Sequence, residues 1–199
     1  KQKEYKYKST LELFKRIGEV ANIEALFDEY IESPLLWNYR NKMEYSFSSI
    51  EHDIVTNEEK DDAFALGFKH RGTWWKVENL DGPDGLFDAD FEGKLKSIRE
   101  YLESTGLSAW HPPKKHGFFR HLVVRKSFDQ DQLLINLVTS SQGFDDFDRE
   151  AFKNFMVDTL GNRLAGLQHT INDDVSDRAK IENGNNQLSI FNAMRLLQI

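Results

Sequence analysis

The chain has 199 residues, enough for one domain of ordinary size or two small ones. Its 26 Lys and Arg residues against 33 Asp and Glu residues give a formal net charge of −7, which argues against a nucleic-acid binder that is basic over its whole surface but allows a local basic patch. The absence of cysteine excludes a disulfide scaffold, a thiolate zinc site, a cysteine-ligated iron–sulfur cluster and a cysteine nucleophile within this chain.

The pattern of the first third predicts one helix followed by strands. Helical spacing of apolar residues predicts a helix over residues 9–18. From Lys42 to Ser48 apolar and polar residues alternate, as in a strand with one buried face. A second alternating run, residues 64–68, follows a polar acidic connection, so the two runs predict a hairpin. Residues 74–77 predict a short third strand.

The remaining elements alternate between helices and pairs of strands. Helical spacing predicts one helix between Phe87 and Gly106 and another over residues 146–160, with Phe147, Ala151 and Phe155 on one side. Apolar runs predict strands over 118–126, 132–140 and 164–172. The order β-β-β-α-β-β-α-β is not that of a doubly wound sheet. We therefore expect an α+β fold, with a largely antiparallel sheet and two main helices packed on it.

Neither a membrane span nor a secretory signal is indicated. The apolar runs are shorter than the roughly 18 residues that a membrane helix requires. The first residues, KQKEYKYKSTLELF, are charged and contain no apolar signal core. We therefore expect a cytoplasmic protein without membrane contact.

Three stretches combine cations with aromatic residues, and the first is WNYRNKMEYSF, residues 37–47. It places Arg40, Asn41 and Lys42 at the start of a predicted strand, beside Trp37 and Tyr39. Phosphates pair with Arg and Lys, and bases stack on rings or on a guanidinium plane, so this stretch suits RNA. The alternative is that the two aromatic residues belong to the core and Arg40 forms an internal ion pair.

The second stretch, residues 114–126, contains five Lys and Arg residues and no acidic residue. It also contains two histidines, His116 and His121. On a regular strand Arg120 and His121 face opposite sides, so one of the two arginines is expected to face solvent or a ligand. The alternative is an edge strand protected from aggregation by its charge.

The third stretch is GFKHRGTWWK, residues 67–76, which adds His70 and Arg71 as weaker candidates beside Trp74 and Trp75. A solvated hairpin tip is the alternative here. Because all three stretches share the same bias, they support a nucleic-acid surface together more strongly than any one of them does.

Other chemistry has less support in the sequence. We interpret the acidic run at residues 144–150 as a helix start capped by Asp145 or Asp146. His111, His116 and His121 are five residues apart, which suits neither one helix face nor one strand face, so we expect no metal site. No Gly-rich phosphate loop and no nucleophile–base pair is found, and we assign no catalytic residue. A small enzyme with an acid–base site around His116 and His121 stays open as an alternative.

Several motifs, in this order, resemble the central region of the RNA 5-methyluridine methyltransferases, which are uracil-C5 enzymes of tRNA and ribosomal RNA that use S-adenosylmethionine. They cover about residues 1–172 and include SPLLWNYRNKMEYSF, ALGFKHRGTWWKVENLD, GLSAWHP, GFFRHLVVRK, QLLINLVTS and LQHTIND. The YRNK and GFFRHLVVR motifs are the specific ones.

The resemblance implies an architecture of which this chain contains only a part. Family members commonly have a TRAM-like domain, this central domain and a methyltransferase domain that carries the cofactor loop, a nucleophilic Cys and a Glu base. We therefore expect residues 1–172 to be a central RNA-recognition domain that cannot catalyse methylation alone and does not bind S-adenosylmethionine. Residues 173–199 match the family poorly, as a segment leading toward the methyltransferase domain.

Many members of the family also hold an iron–sulfur cluster, with one ligand after the strand equivalent to WWKVENLD. The corresponding NLDGPDGLF offers no thiol, so we expect no cluster in this chain. By the resemblance, the central domain helps to bind the RNA and position the target uridine. Arg40, Asn41, Lys42, Arg120, His121 and Arg125 are carried over from the YRNK and FFRHLVVR motifs as RNA contacts. The alternative is an RNA-binding or structural module that acts alone, without catalysis.

Overall fold

The computed structural model describes residues 1–174 and the backbone of residues 188–191. Most of the segment 173–199, including most of the predicted terminal element at 187–199, lies outside the described residues. The chain divides into two compact units, Lys1–Leu36 and Trp37–Ile199.

The first unit contains helices α1 (Gln2–Arg16) and α2 (Ile23–Leu26). Helix α1 begins seven residues before the predicted start at residue 9. The early turns lack an apolar stripe, which is why periodicity missed them, but the Glu4–Lys8 ion pair (2.7 Å) supports the helix there. The rings of Tyr7 and Phe27 meet edge to face, with centroids 4.7 Å apart.

The second unit is built on one sheet of nine strands among the described residues. The strands are β1 (Lys42–Ser48), β2 (Glu51–Asp53), β3 (Glu58–Lys60), β4 (Ala65–Lys69), β5 (Val77–Asn79), β6 (Phe119–Ser127), β7 (Gln132–Thr139), β8 (Leu164–Ile171) and β9 (Leu188–Phe191). Their order is β3-β2-β5-β4-β1-β6-β7-β8-β9.

Neighbouring strands are antiparallel except for β2 with β5 and β7 with β8. The predicted α+β fold with a largely antiparallel sheet is therefore confirmed. The predicted hairpin is also present, since β1 pairs with β4, and its long connection forms the smaller β2–β3 hairpin.

The helices of this unit pack on one face of the sheet. They are α3 (Ala89–Glu92), α4 (Leu95–Ser104) and α5 (Arg149–Leu160). Leu95, Ile98 and Leu102 recur at helical spacing on α4 and are completely buried against the sheet. From the strands, the same core receives Tyr45 and Leu122.

The second main helix differs in detail from its prediction. Its cap is Asp148, whose carboxylate accepts a hydrogen bond from the Ala151 amide (2.9 Å), and not Asp145 or Asp146. A short 3-10 turn, Phe144–Asp146, precedes it. The buried face is formed by Phe152, Met156 and Leu160, whereas Ala151 is exposed, because Phe147, with which the predicted stripe began, lies before the helix.

Among the described residues, none of the helices combines the length and the apolar character that crossing a membrane requires.

Candidate nucleic-acid interface

Strands β1 and β6 present a row of side chains on the sheet face opposite to the helices. The register pairs Lys42 with Arg125 and Ser46 with His121. Because Tyr45 points into the helical core, its neighbour Ser46 points to the other face, and Lys42 shares that face with Ser46. We call this row the outer row; it consists of Lys42, Glu44, Ser46, His121, Val123 and Arg125.

At one end of the outer row the sheet brings Lys42 and Arg125 side by side, both exposed. Lys42 Nζ lies 3.4 Å from Glu44 Oε2, an exposed ion pair of small energetic value. Since β6 lies between β1 and β7, the alternative of a charge-protected edge strand is wrong. Two cations from separate motifs of the sequence thus meet at one point.

The residues just before β1 are also exposed. Trp37 and Tyr39 are 69% and 48% exposed, so the alternative in which they belong to the core is wrong. Arg40 is exposed and, within the described residues, forms no ion pair; its Nη1 lies 3.8 Å from Met43 Sδ. Asn41 is exposed as well, and its carbonyl oxygen accepts a hydrogen bond from the Lys126 amide (2.8 Å).

At the other end of the outer row, Arg120 and His121 line the same cavity. The prediction that they face opposite sides is wrong, because the pairing of β6 with β7 shifts register between Phe119 and His121. Such a bulge adds one residue to a strand and changes the direction of its side chains. Phe119 and Leu122 both enter the core, and the two residues between them turn to the cavity.

The cavity has a volume of about 490 Å³ and combines indole rings with cations. Its charged and aromatic lining is formed by Phe47, Lys69, Trp74, Trp75, Trp110, Lys115, Arg120, His121 and Asp173. Three tryptophans from two loops provide flat apolar surfaces, and the lysines provide positive charge. This combination can stack a planar aromatic ligand and hold an anion beside it. We call it the tryptophan pocket.

Arg120 is the buried cation of the tryptophan pocket, with 2% of its surface exposed. Its Nη1 donates hydrogen bonds to the carbonyl oxygens of Asn172 (2.6 Å) and Asp174 (2.7 Å). Its guanidinium carbon lies 4.6 Å from the centroid of the Trp110 ring. Arg120 therefore fixes the wall of the pocket through the backbone after β8.

His121 is also buried, with 5% of its surface exposed. Its Nδ1 lies 3.5 Å from Ser46 Oγ and 3.9 Å from Glu44 Oε1. The acid–base alternative required a buried pair of histidines beside a carboxylate. His116 is exposed and lies in the turn opposite His111, so only one of the two histidines meets that requirement.

The third basic stretch is divided between two environments. Arg71 is exposed in the turn between β4 and β5. His70 is half-buried and its Nδ1 contacts Glu78 Oε1. Trp74 and Trp75 enter the tryptophan pocket, where Trp74 is 57% exposed.

Sequence reasoning did not single out Trp110 or Lys115 as site residues, although both line the pocket. They lie in WHPPKKHG, which the sequence shows to be basic and Pro-rich. Its placement depends on long-range pairing, since the Trp110 amide donates to the Phe119 carbonyl oxygen (2.8 Å) and its carbonyl oxygen accepts from the Ser49 amide (2.9 Å). A search for basic and aromatic residues close together in the sequence identifies this loop. Such a search does not show which strand the loop pairs with.

The sequence and the fold are similar to those of known RNA methyltransferases. The chain is 35% identical over 185 residues to an uncharacterized RNA methyltransferase of Clostridium acetobutylicum, covering 90% of this chain and 37% of the relative. A tRNA (uracil(54)-C(5))-methyltransferase of Pyrococcus abyssi is 25% identical over 132 residues, covering 66% of this chain and 28% of the relative. The chain thus spans 37% and 28% of the lengths of these two curated relatives. No family model matches it.

Among solved structures, the crystal structure of the Pyrococcus abyssi tRNA (uracil-54, C5)-methyltransferase in complex with S-adenosyl-L-homocysteine is similar, with a TM-score of 0.55 and 20% identity. The match covers 88% of this chain and 36% of that one, and it shows a shared fold.

The described residues contain one strand–helix–strand unit with parallel strands, β7–α5–β8. Its entry to the helix holds a single glycine, Gly143, followed by the carboxylates of Asp145, Asp146 and Asp148. This turn lacks the Gly-rich backbone with which nucleotide-binding folds approach such a ligand.

Proposed function

We propose that the chain belongs to the RNA methyltransferase family and is the RNA-contacting central domain of an RNA uracil-C5 methyltransferase that acts on tRNA or ribosomal RNA. The relatives confirm the resemblance that the sequence motifs indicated. In this proposal the chain binds and positions RNA, while S-adenosylmethionine binding and the covalent chemistry belong to the methyltransferase domain of the same enzyme, which also has a TRAM-like domain.

The observation that carries the proposal is the outer row leading to the tryptophan pocket. Lys42 and Arg125 lie four residues along their strands from Ser46 and His121, a distance of roughly 13 Å at the usual rise per residue. Exposed cations at that distance from a stacking pocket suit a single strand of RNA, whose phosphates pair with the cations while a base stacks on the indoles.

The residues of this chain support RNA positioning and not the covalent step of the reaction. With no cysteine, it cannot supply the nucleophile that the family resemblance implies for attack on the uracil ring. A base that is turned out of an RNA stack needs a surface that holds the neighbouring nucleotides while the ring is in the active site. The pocket and the outer row provide such a surface.

Titration of a labelled, unmodified tRNA transcript with the chain tests the proposal. We expect affinity that falls steeply with salt, because each neutralised phosphate releases counterions. Replacing Arg40 and Lys42 with Ala removes two cations and should reduce both the affinity and the salt slope. Replacing Lys96 and Lys153 with Ala removes two cations from the helices instead and serves as the charge-matched control.

Equal losses in the two double variants would contradict the assignment of Arg40 and Lys42 to RNA contact. Trp74→Ala tests the pocket separately, and loss of one stacked base should weaken binding by about 1 to 3 kcal/mol. Phe128→Ala, which removes another exposed ring outside the pocket, is its control.

The second candidate is a domain that binds RNA alone, without a catalytic partner. It predicts the same binding results, so the mass of the natural polypeptide distinguishes the two. A band well above the size of this 199-residue chain, detected in source cells with an antibody to the domain, supports the methyltransferase. A band of that size supports the independent module.

A further inference from the structure

Two histidines and a glutamate from three adjacent strands converge beside the tryptophan pocket. His52 lies on β2, Glu78 on β5, and His70 directly follows β4. Since β5 lies between β2 and β4 in the sheet, the two histidines come from the strands on either side of Glu78. One ligand atom from each residue lies within 4.8 Å of the other two.

The contacts identify which atoms converge. His70 Nδ1 contacts Glu78 Oε1 directly, and His52 Nε2 lies 3.9 Å from the same oxygen. The two imidazole rings lie against each other, with centroids 3.9 Å apart. Two imidazole nitrogens and one carboxylate oxygen therefore face a common point.

His52 is the deepest member of this group, with 4% of its surface exposed. Its Nδ1 has no hydrogen-bond partner within the described part of the chain, and its Nε2 is beyond hydrogen-bond distance from Glu78. The 3.9 Å between His52 Nε2 and Glu78 Oε1 is close to the spacing of two ligands on one ion, and no hydrogen bond between these two atoms has to be broken for an ion to bind.

We propose that His52 Nε2, His70 Nδ1 and Glu78 Oε1 bind one Zn²⁺ ion, with water as the fourth ligand. Two imidazoles and a carboxylate form a donor set that zinc takes in proteins, at about 2.0 to 2.2 Å from the metal. Tetrahedral ligands at that distance lie roughly 3.4 Å apart, so the His70–Glu78 contact opens and His52 moves closer by a fraction of an ångström.

The surroundings leave room for the fourth ligand and tie the ion to the neighbouring pocket. The side chains of His70 and Glu78 are 29% and 25% exposed, so water reaches them. His70 begins the turn to β5 that carries Trp74 and Trp75, and the His70 amide donates to the Lys76 carbonyl oxygen across that turn (3.0 Å). A bound ion fixes the base of this turn and thereby orders two walls of the tryptophan pocket.

Zinc titration of the 199-residue chain, freed of metal with a chelator, tests the proposal by calorimetry. We expect one equivalent to bind, and the melting temperature to rise with zinc because the ion binds the folded state. In His70→Gln and Glu78→Gln, affinity should fall at least tenfold, since even outer partners of metal sites contribute about that much. His116→Gln, which removes an exposed histidine elsewhere, should bind like the unaltered chain.

A second measurement on the unaltered chain removes the risk that a variant fails to fold. Zinc should shift the imidazole NMR signals of His52 and His70 and leave those of His111, His116, His121 and His169 in place. Absence of stoichiometric binding, unchanged affinity in both variants, or shifts at His111 and His116 instead would overturn the proposal. The result is independent of RNA affinity, so either proposal can fail while the other holds.

Discussion

Arg163 holds the buried Asp88 with both ends of its guanidinium group, through Nη1 to Oδ1 at 3.0 Å and Nη2 to Oδ2 at 2.7 Å. Asp88 is also the N-cap of α3, accepting from the Phe91 amide at 2.8 Å, and it accepts from Lys126 Nζ at 2.5 Å. One carboxylate therefore connects a helix start, the end of β6 and the turn before β8.

Asp88→Asn should lower the free energy of unfolding by about 2 to 4 kcal/mol at pH 7, because the partly buried Arg163 and Lys126 lose their buried counter-charge and keep only exposed carboxylates. Urea denaturation followed by circular dichroism measures the effect. Asp90 also bonds Arg163 (2.7 Å) but its side chain is 56% exposed, so Asp90→Asn should cost less than about 1 kcal/mol. Equal losses of unfolding free energy in Asp88→Asn and Asp90→Asn would contradict the larger contribution of the buried carboxylate.

The same carboxylate predicts an acid dependence of stability. Burial alone would raise the pKa of Asp88, but hydrogen bonds from Arg163, Lys126 and the Phe91 amide outweigh it and hold that pKa well below its usual range. A depressed carboxyl pKa stabilises the fold above the unfolded value, near 4, and the contribution is lost as pH falls below it. Unfolding free energies at pH 3 and pH 7 should therefore differ less in Asp88→Asn than in the unaltered chain.

Glu92 should make stability fall as pH rises through neutrality. It is completely buried, accepts from Tyr45 Oη (2.9 Å) and the Asp84 amide (3.0 Å), and burial raises its pKa to about 7. The folded state then holds a proton that the unfolded state releases near pH 4.3, so stability is lost between these values. In Glu92→Gln the unfolding free energy at pH 8 should be higher by roughly 1 to 3 kcal/mol. The prediction would be refuted if the unfolding free energy of Glu92→Gln varied with pH as that of the unaltered chain does.

His169 should make stability fall as the pH drops, which is opposite to the effect of Glu92. It is 2% exposed beside Phe144 and Phe147, and burial together with Arg149 lowers its pKa to about 4. The unfolded state binds a proton near pH 6.5 that the folded state refuses, so stability falls as pH drops from there toward 4. His169→Gln keeps a polar group for Thr139 and should flatten this loss, whereas the exposed His116→Gln should not.

Arg120→Met should lower the unfolding free energy by about 2 to 4 kcal/mol, because the carbonyl oxygens of Asn172 and Asp174 lose a buried donor. Arg120→Lys keeps a donor without the planar group that lies over Trp110, and its loss should be smaller. Thermal melts of both variants, with the exposed Arg125→Lys as control, measure the difference. A cost for Arg125→Lys as large as that for Arg120→Lys would contradict the role given to burial.

Local patterns predicted the elements where the backbone is regular. The alternation over Lys42–Ser48 gave the correct strand, with Tyr45 in the core and Lys42 outside, because a period of two follows from the pleat itself. The spacing of Leu95, Ile98 and Leu102 likewise gave the buried stripe of α4. These predictions depend only on the identities of residues a few positions apart along the chain.

The face of Arg120 could not be predicted in this way. A single extra residue at the bulge before His121 reverses the alternation, and that residue is accommodated by pairing with β7, not by a local signal. The convergence of His52, His70 and Glu78 likewise depends on β5 lying between β2 and β4, an order that differs from the order along the chain.

The sequence by itself indicated the resemblance to RNA methyltransferases, and it determined the α+β class, most strands and helices, and the bias of three stretches toward cations and aromatic rings. These features follow from residue identity and from periods of two and 3.6 residues, which act over short distances. Only the tertiary structure decided which cations meet at Lys42 and Arg125, which tryptophans share a pocket, and that Arg163 pairs with Asp88 at a separation of 75 residues. The physical reason is that burial, charge pairing and strand order are set by long-range packing, which a local pattern does not contain.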